Sequence, residues 1–372
     1  MVIQRLINTF GHRTNIPLIN CTNVRNMCAS VLATESSSNG MIILNRPKAL
    51  NAINTEMIRK IYKHLKKCEK SKCLMIIKGT GEKSFCAGGD VRAVVQAGAS
   101  DESKIFFREE YSTNALIGNY KIPYIALIDG ITMGGGVGLS VHGKYRVATE
   151  RTIFAMPETA IGLFPDVGGS YFLPRLQGKL GLYLGLTGHR LKGEDVLKAG
   201  VATHYCESSK IGELEAALLN CADADEVITI LEAFNTPSKK EFVLQPLMEK
   251  INKCFSAGSV EEIVANLKSD GSEWAMKTLE TMGKMSPTSL KVAFRQLELG
   301  ANMSLTQCLN MEFRMVVRHL ENSDFKEGVR ALLIDKDQKP RWQPSTLEAV
   351  SDERVQSFFE KLPDTEELKL IQ

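Results

Sequence analysis

The sequence predicts an α/β core followed by a mainly helical C-terminal region, and three observations carry that expectation. Between residues 41 and 178, short apolar runs alternate with an amphipathic helical stretch. Glycine-rich turns stand at the ends of those runs. After about Gly178 the texture changes: strand-like runs become few, and capped, amphipathic helical patterns take over.

Taken in order, Met41–Leu44 and Cys73–Ile77 read as buried strands, as does Tyr124–Ile128. Between the first two, Thr55 to Lys70 places Met57, Ile61 and Leu65 at helical spacing, with lysines opposite. Strand, helix and strand in this rhythm imply parallel pairing. Further on, Ser259 with Glu262 and Ser304 with Gln307 fit the Ser-x-x-Glu/Gln capping box. The composition shift near residue 200 divides the chain into a core over 35–200 and a helical region over 201–372, without a long linker.

Hydrophobic residues make up 44% of the 372 and charged residues 24%, enough apolar material for a sizeable core without disulfides or metals. No run reaches the ~18 consecutive apolar residues of a membrane span. The net charge of +3 is too balanced for a nucleic-acid binder that relies on a charged face. That small excess sits in residues 1–34, which hold Arg5, Arg13 and Arg25, no lysine and no acid before Glu35. At an acidic frequency of 43 in 372, such a stretch arises by chance in roughly 1–2% of cases, so residues 1–34 read as a mitochondrial transit peptide. The nine cysteines are odd in number, scattered and without a CxxC pair, as expected of reduced thiols. The six histidines show no ligand spacing, so no metal site is expected.

Three glycine-rich segments are the places where chemistry can sit. They are Ser84 to Asp90 (Ser-Phe-Cys-Ala-Gly-Gly-Asp), Met133 to Gly138 (Met-Gly-Gly-Gly-Val-Gly) and Gly162 to Gly169 (Gly-Leu-Phe-Pro-Asp-Val-Gly-Gly). Consecutive glycines let the backbone approach a ligand and aim bare N–H groups at it. If Gly134–Gly136 opens a helix, those groups gain the positive end of its dipole, and two such turns face to face make an oxyanion hole. Neither a dinucleotide fingerprint nor a phosphate loop is matched, and Gly138 to Gly143 misses the Gly-x-Ser-x-Gly elbow by one residue. Ser140 is therefore read as an ordinary helix residue.

The acids are better placed. Glu158 stands in an apolar stretch from Phe154 to Leu163, and Asp166 lies in the third glycine turn. A carboxylate among apolar neighbours has its pKa raised, which suits a general base or nucleophile near neutral pH. The competing reading of Glu158 is an N-cap or a buried hydrogen-bond anchor. Glu109 and Glu110 lie on a predicted helix, where a solvated face is the default for both.

At these residues the sequence resembles the crotonase (enoyl-CoA hydratase/isomerase) superfamily. The matching segments are Leu44 to Ala52, Phe85 to Arg92, Gly130 to Leu139, Phe154 to Gly169, Lys284 to Ser289 and Glu327 to Ala331, within about residues 35–345. The Phe-Pro-Asp-Val-Gly-Gly run from Phe164 and the Phe-Phe-Arg-Glu-Glu-Tyr run from Phe106 resemble its acyl-CoA hydrolase branch. The resemblance implies a crotonase-like spiral of ββα turns followed by a helical C-terminal region. It implies that the N–H groups of Gly89 and Gly135 form the oxyanion hole, that Glu158 is catalytic, and that Asp166 and Glu110 contact the acyl group. Where a hydratase carries its second glutamate this chain has Gly138, which is expected to leave room beside Glu158.

The implied activity is hydrolysis of a short branched 3-hydroxyacyl-CoA thioester in the mitochondrial matrix. Glu158 attacks or serves as base to a water, and Asp166 orients that water or accepts the 3-hydroxyl. No cofactor is expected, since coenzyme A enters as part of the substrate; the partner is that small molecule, with no nucleic acid and no membrane span. Oligomeric state is not legible, although the superfamily assembles homo-oligomers through C-terminal helices. The alternatives are an enoyl-CoA hydratase/isomerase of the same fold and a non-catalytic acyl-CoA- or RNA-binding relative.

Overall fold

The computed structural model describes residues 29–238 and 240–371. Among them ten strands form two sheets: β1 (Val31–Glu35), β2 (Asn39–Leu44), β3 (Leu74–Gly79), β4 (Ser84–Cys86), β5 (Tyr124–Ile128), β6 (Ile131–Met133), β7 (Tyr145–Ala148), β8 (Ile153–Ala155), β9 (Leu191–Lys192) and β10 (His204–Tyr205). The larger sheet has the order β1-β2-β3-β5-β7-β10 and the smaller β4-β6-β8-β9. Pairing is parallel except at β1–β2 and β8–β9. After β3, β5 and β7 the chain crosses at once into β4, β6 and β8, so each circuit lays one strand in each sheet. That is the expected spiral.

Alternation across the strands explains their continuous apolar sequence. Met41, Leu74, Ile76, Ile125, Leu127 and Val147 pack under the helices Ile211–Asn220 and Glu226–Phe234. Ile42, Leu44, Met75, Ile77, Ala126 and Ile128 join the main core on the other side. A sheet covered on both faces has no polar face to show in its sequence. The helix Thr55–Cys68 is capped by the Asn54 side chain on the Met57 N–H at 3.0 Å and buries Met57, Ile61 and Leu65.

Of the two capping boxes, Ser304 with Gln307 is reciprocal. At the other, Ser259 caps the Glu262 N–H, but the Glu262 carboxylate takes the N–H of Gly258, one residue early. The composition shift near residue 200 is not a division in space. β10 pairs with β7, and the main core cluster draws on residues from Val31 to Leu368. No helix among the described residues is long and apolar enough to cross a membrane.

The expected transit peptide falls largely on residues 1–28, which lie outside the described residues. Its expected end at residue 34 falls inside β1, which pairs along its whole length with β2 and buries Val31. The folded chain therefore starts by residue 31. A protein beginning at Ser36 loses this edge strand, including one core side chain worth ~1.5–3 kcal/mol. It should melt a few degrees below one beginning at Ala29 in parallel thermal scans, and equal melting would show that β1 contributes nothing.

Candidate active site

The two glycine turns are brought together by residues that have no chemistry of their own. Asn51 donates its amide to the Thr80 and Ser84 carbonyls at 3.0 and 2.8 Å, tying the Leu44-to-Ala52 segment to the start of β4. Beyond β4, Ile53 and Gly89 form an isolated parallel bridge through the Gly88 carbonyl and the Asp90 N–H. That pattern leaves the Gly89 N–H out of the pairing. Beyond β6, Gly134 at φ 46° turns the chain into the short helix Gly135–Gly138. The Gly135 N–H, at its first position, has no intrahelical acceptor. The Gly89 nitrogen is 3.3 Å from where a Gly135 Cβ would stand, so the turns face each other at backbone contact. Two N–H donors that no strand or helix uses thus stand on facing turns, the elements from which an oxyanion hole is built.

Three carboxylates surround this pair. Glu158 opens a short 3₁₀ turn, Glu158–Ile161; its Oε1 is 3.0 Å from where a Gly134 Cβ would stand, and its Oε2 has no partner. Glu110 approaches from the helix Asp101–Gly118, with Oε1 unpartnered and 2.5 Å from where a Gly135 Cβ would stand. Asp166 accepts a hydrogen bond from the Tyr111 hydroxyl at 3.0 Å. Glu110, Glu158 and Asp166 are 2%, 5% and 5% exposed, so the solvated face expected of Glu110 is overturned. Its neighbour Glu109 is half-buried and pairs with the exposed Arg59 at 2.8 Å. Glu158 is no hydrogen-bond anchor, because a side-chain oxygen is left without a donor.

Burial dominates their ionisation. Glu158 is held well above the ordinary carboxylate range by desolvation, then by the charge of Asp166. Glu110 is likewise raised, by desolvation and then by Asp166 and Glu158. Asp166 is pushed up to about 7 by desolvation, against the Tyr111 hydrogen bond that favours its anion. Burial also drives the Cys86 thiol up to about 12, which removes it as a nucleophile. Among the described residues no group of three or more His, Cys, Asp or Glu is arranged to hold a metal ion. The wider clefts, of about 390 Å³ around Tyr183, His189 and Trp274 and about 540 Å³ around Met276, Leu279 and Leu347, include none of the site residues.

Sequence reasoning missed the residues that hold Asp166. Val167 has φ 50°, an uncommon conformation for a β-branched side chain. Its carbonyl accepts from His142 Nε2 at 2.7 Å, and burial keeps that ring neutral by lowering its pKa to about 4. On its other side Glu312, fully buried in the helix Leu305–Glu321, accepts the Gly168 and Ser170 N–H groups at 2.7 and 3.0 Å and the Ser170 hydroxyl. Only the break in apolar pattern at Glu312 marks it in the sequence.

The room expected beside Gly138 is absent. A Cβ there would stand 2.7 Å from Val167 Cβ and 2.8 Å from Asn114 Nδ2, so the position is glycine because helix and turn pack on it. Ser140, expected in a helix, lies in the turn just after the helix Gly135–Gly138, its hydroxyl bonded back to the Gly136 and Val137 carbonyls at 3.0 Å.

A model of the enoyl-CoA hydratase/isomerase family matches residues 39–359. The chain belongs to that family. It is 57% identical over 352 residues to a *Danio rerio* protein named mitochondrial 3-hydroxyisobutyryl-CoA hydrolase, covering 92% of both chains. A human protein of the same name is 50% identical over 372 residues, covering 96% of each. Among solved structures, a carnitinyl-CoA dehydratase from *Mycobacterium thermoresistibile* superposes with TM-score 0.85 at 36% identity, covering 92% of this chain and 98% of that one. An enoyl-CoA hydratase from *Rhodobacter sphaeroides* gives 0.84 at 34%, covering 92% and 100%.

Two measurements check this site. Gly138→Ala should destabilise the fold by ~1–3 kcal/mol through overpacking against Val167 and Asn114; an unchanged melting temperature would contradict the packing. The pH test follows from the raised carboxyls. An acid with a raised folded-state pKa stabilises the fold fully below its unfolded value and loses that contribution as pH rises through the folded one. For Asp166 the loss runs from its ordinary value of 3.8 to about 7 and above. Melting temperatures should fall from pH ~5 to ~8, and Asp166→Asn should flatten that fall; parallel curves would remove Asp166 from it.

Proposed function

We propose that this chain hydrolyses 3-hydroxyisobutyryl-CoA to 3-hydroxyisobutyrate and coenzyme A, a step of valine breakdown, in the mitochondrial matrix. The observation that carries this reading is the buried Glu158 carboxylate, with one oxygen unpartnered, beside two glycine N–H donors that no strand or helix uses. The relatives named as this hydrolase, at 50–57% identity over most of both chains, support the substrate, and their names support the compartment.

The thioester carbonyl oxygen binds the N–H groups of Gly89 and Gly135, each worth ~3 kcal/mol as negative charge develops there. Glu158 then acts in one of two ways. As nucleophile it displaces the coenzyme A thiolate to give a mixed anhydride, which water cleaves; as base it takes a proton from water attacking the same carbon. In both, the C–S bond breaks, the thiolate leaves with a proton and a carboxylate is formed. Asp166, fixed by Tyr111, orients the water, and Glu110 contacts the acyl group. This chemistry calls on no metal or redox cofactor.

The similarity to a solved enoyl-CoA hydratase and a carnitinyl-CoA dehydratase makes alkene hydration the second reading. Position 138 weighs against it: the space for a second glutamate there is filled by Val167 and Asn114. Assays of coenzyme A release from 3-hydroxyisobutyryl-CoA and of crotonyl-CoA hydration separate the two, with release expected and hydration absent. Glu158→Gln should lower kcat for release by at least ~100-fold and leave melting temperature at neutral pH unchanged or raised. Retained turnover would remove Glu158 from the mechanism.

A further inference from the structure

Asn114 is fully buried on the helix Asp101–Gly118, one turn beyond Glu110 on the same face. Neither its amide nitrogen nor its carbonyl oxygen has a hydrogen-bond partner. An amide buried with both ends unpaired is costly unless something else supplies partners. The two residues stand at successive levels along the oxyanion-hole helix. Glu110 Oε1 lies against Gly135, and Asn114 Nδ2 lies 2.8 Å from where a Gly138 Cβ would stand, beside Val167. The carboxyls of Asp166 and Glu158 stand near Glu110, and the Tyr111 hydroxyl is committed to Asp166. Asn114 Nδ2 is thus an uncommitted neutral donor one helical turn from an uncommitted acceptor, Glu110 Oε1.

A hydroxyl on the acyl chain needs that combination, because it donates one hydrogen bond and accepts others. We propose that Asn114 is a specificity-determining residue: its amide N–H donates to the substrate's 3-hydroxyl oxygen while that hydroxyl donates to Glu110 Oε1. This rests on the 3-hydroxyacyl thioesterase reading above. An acyl group without the hydroxyl leaves both side chains buried and unpaired, and a site built to bond a hydroxyl rejects such an analogue strongly.

The test measures kcat/KM for 3-hydroxyisobutyryl-CoA and for isobutyryl-CoA, which lacks the hydroxyl. It compares the wild type with Asn114→Leu, which keeps the volume and removes polarity, and Asn114→Ala, which removes the amide altogether. Melting temperatures are recorded alongside. Both variants should lose at least ~10-fold more on the hydroxylated ester than on the plain one, compressing the wild-type preference. Equal losses on both esters, or no loss on either, would overturn the assignment. Failure of both variants to fold would overturn it too, by showing that the amide holds the structure. A wild type that releases coenzyme A from neither ester would instead overturn the thioesterase reading itself.

Discussion

The segment from Glu158 to Ser170 carries two of the three acids and is held in place from outside. Its own regular structure is one 3₁₀ turn and the start of a four-residue helix. The C-terminal helices supply the rest. Thr159 accepts from the Ser286 N–H at 3.1 Å, Pro165 accepts from Gln296 at 2.6 Å, and Glu312 takes the N–H groups of Gly168 and Ser170. Gly328 packs so closely on Ile161 that a Cβ there would meet its backbone. The Lys284-to-Ser289 and Glu327-to-Ala331 segments, far from Glu158 in sequence, thus work as scaffold. Catalytic groups need support of this kind because small displacements at a reacting centre are costly in rate.

That scaffold holds an electrostatically unfavourable arrangement. The leading influences on Glu110, Glu158, Asp166 and Glu312 include no cation. Glu312, itself raised to about 8 by burial, is tempered by the Gly168 and Ser170 donors. Glu158 has no donor from another residue among those influences and stays high. One group of acids therefore separates by environment into a holder of backbone and a reactive carboxyl, and stability is given up at the site for reactivity.

Strands β2, β3 and β5 and the helix Thr55–Cys68 were legible because burial on both faces writes a continuous apolar run and burial on one stripe writes a helical period. The glycine turns were legible because positions such as Gly134 exclude other residues through backbone geometry. Glu110 was not legible from its own pattern. It sits beside the half-buried, ion-paired Glu109 on a helix buried over much of its surface, and only the resemblance singled it out. Gly138 was misread for a related reason: a glycine looks like empty space in sequence, whereas here Val167 and Asn114 occupy what it leaves. Glu312 and His142 act through contacts far apart in sequence, which no local spacing encodes.

The central claim is that Glu158 is a buried carboxyl whose ionisation is held above the usual carboxylate range by burial and by Asp166, so that it serves as base or nucleophile. Infrared difference spectra between the wild type and Glu158→Gln isolate its protonated carboxyl stretch, which can be titrated between pH ~4 and ~10. The account predicts a band that titrates above the ordinary glutamate value and shifts to lower pH in an Asp166→Asn background. A band lost near the ordinary glutamate value of ~4.3, or one unmoved by Asp166→Asn, would contradict it.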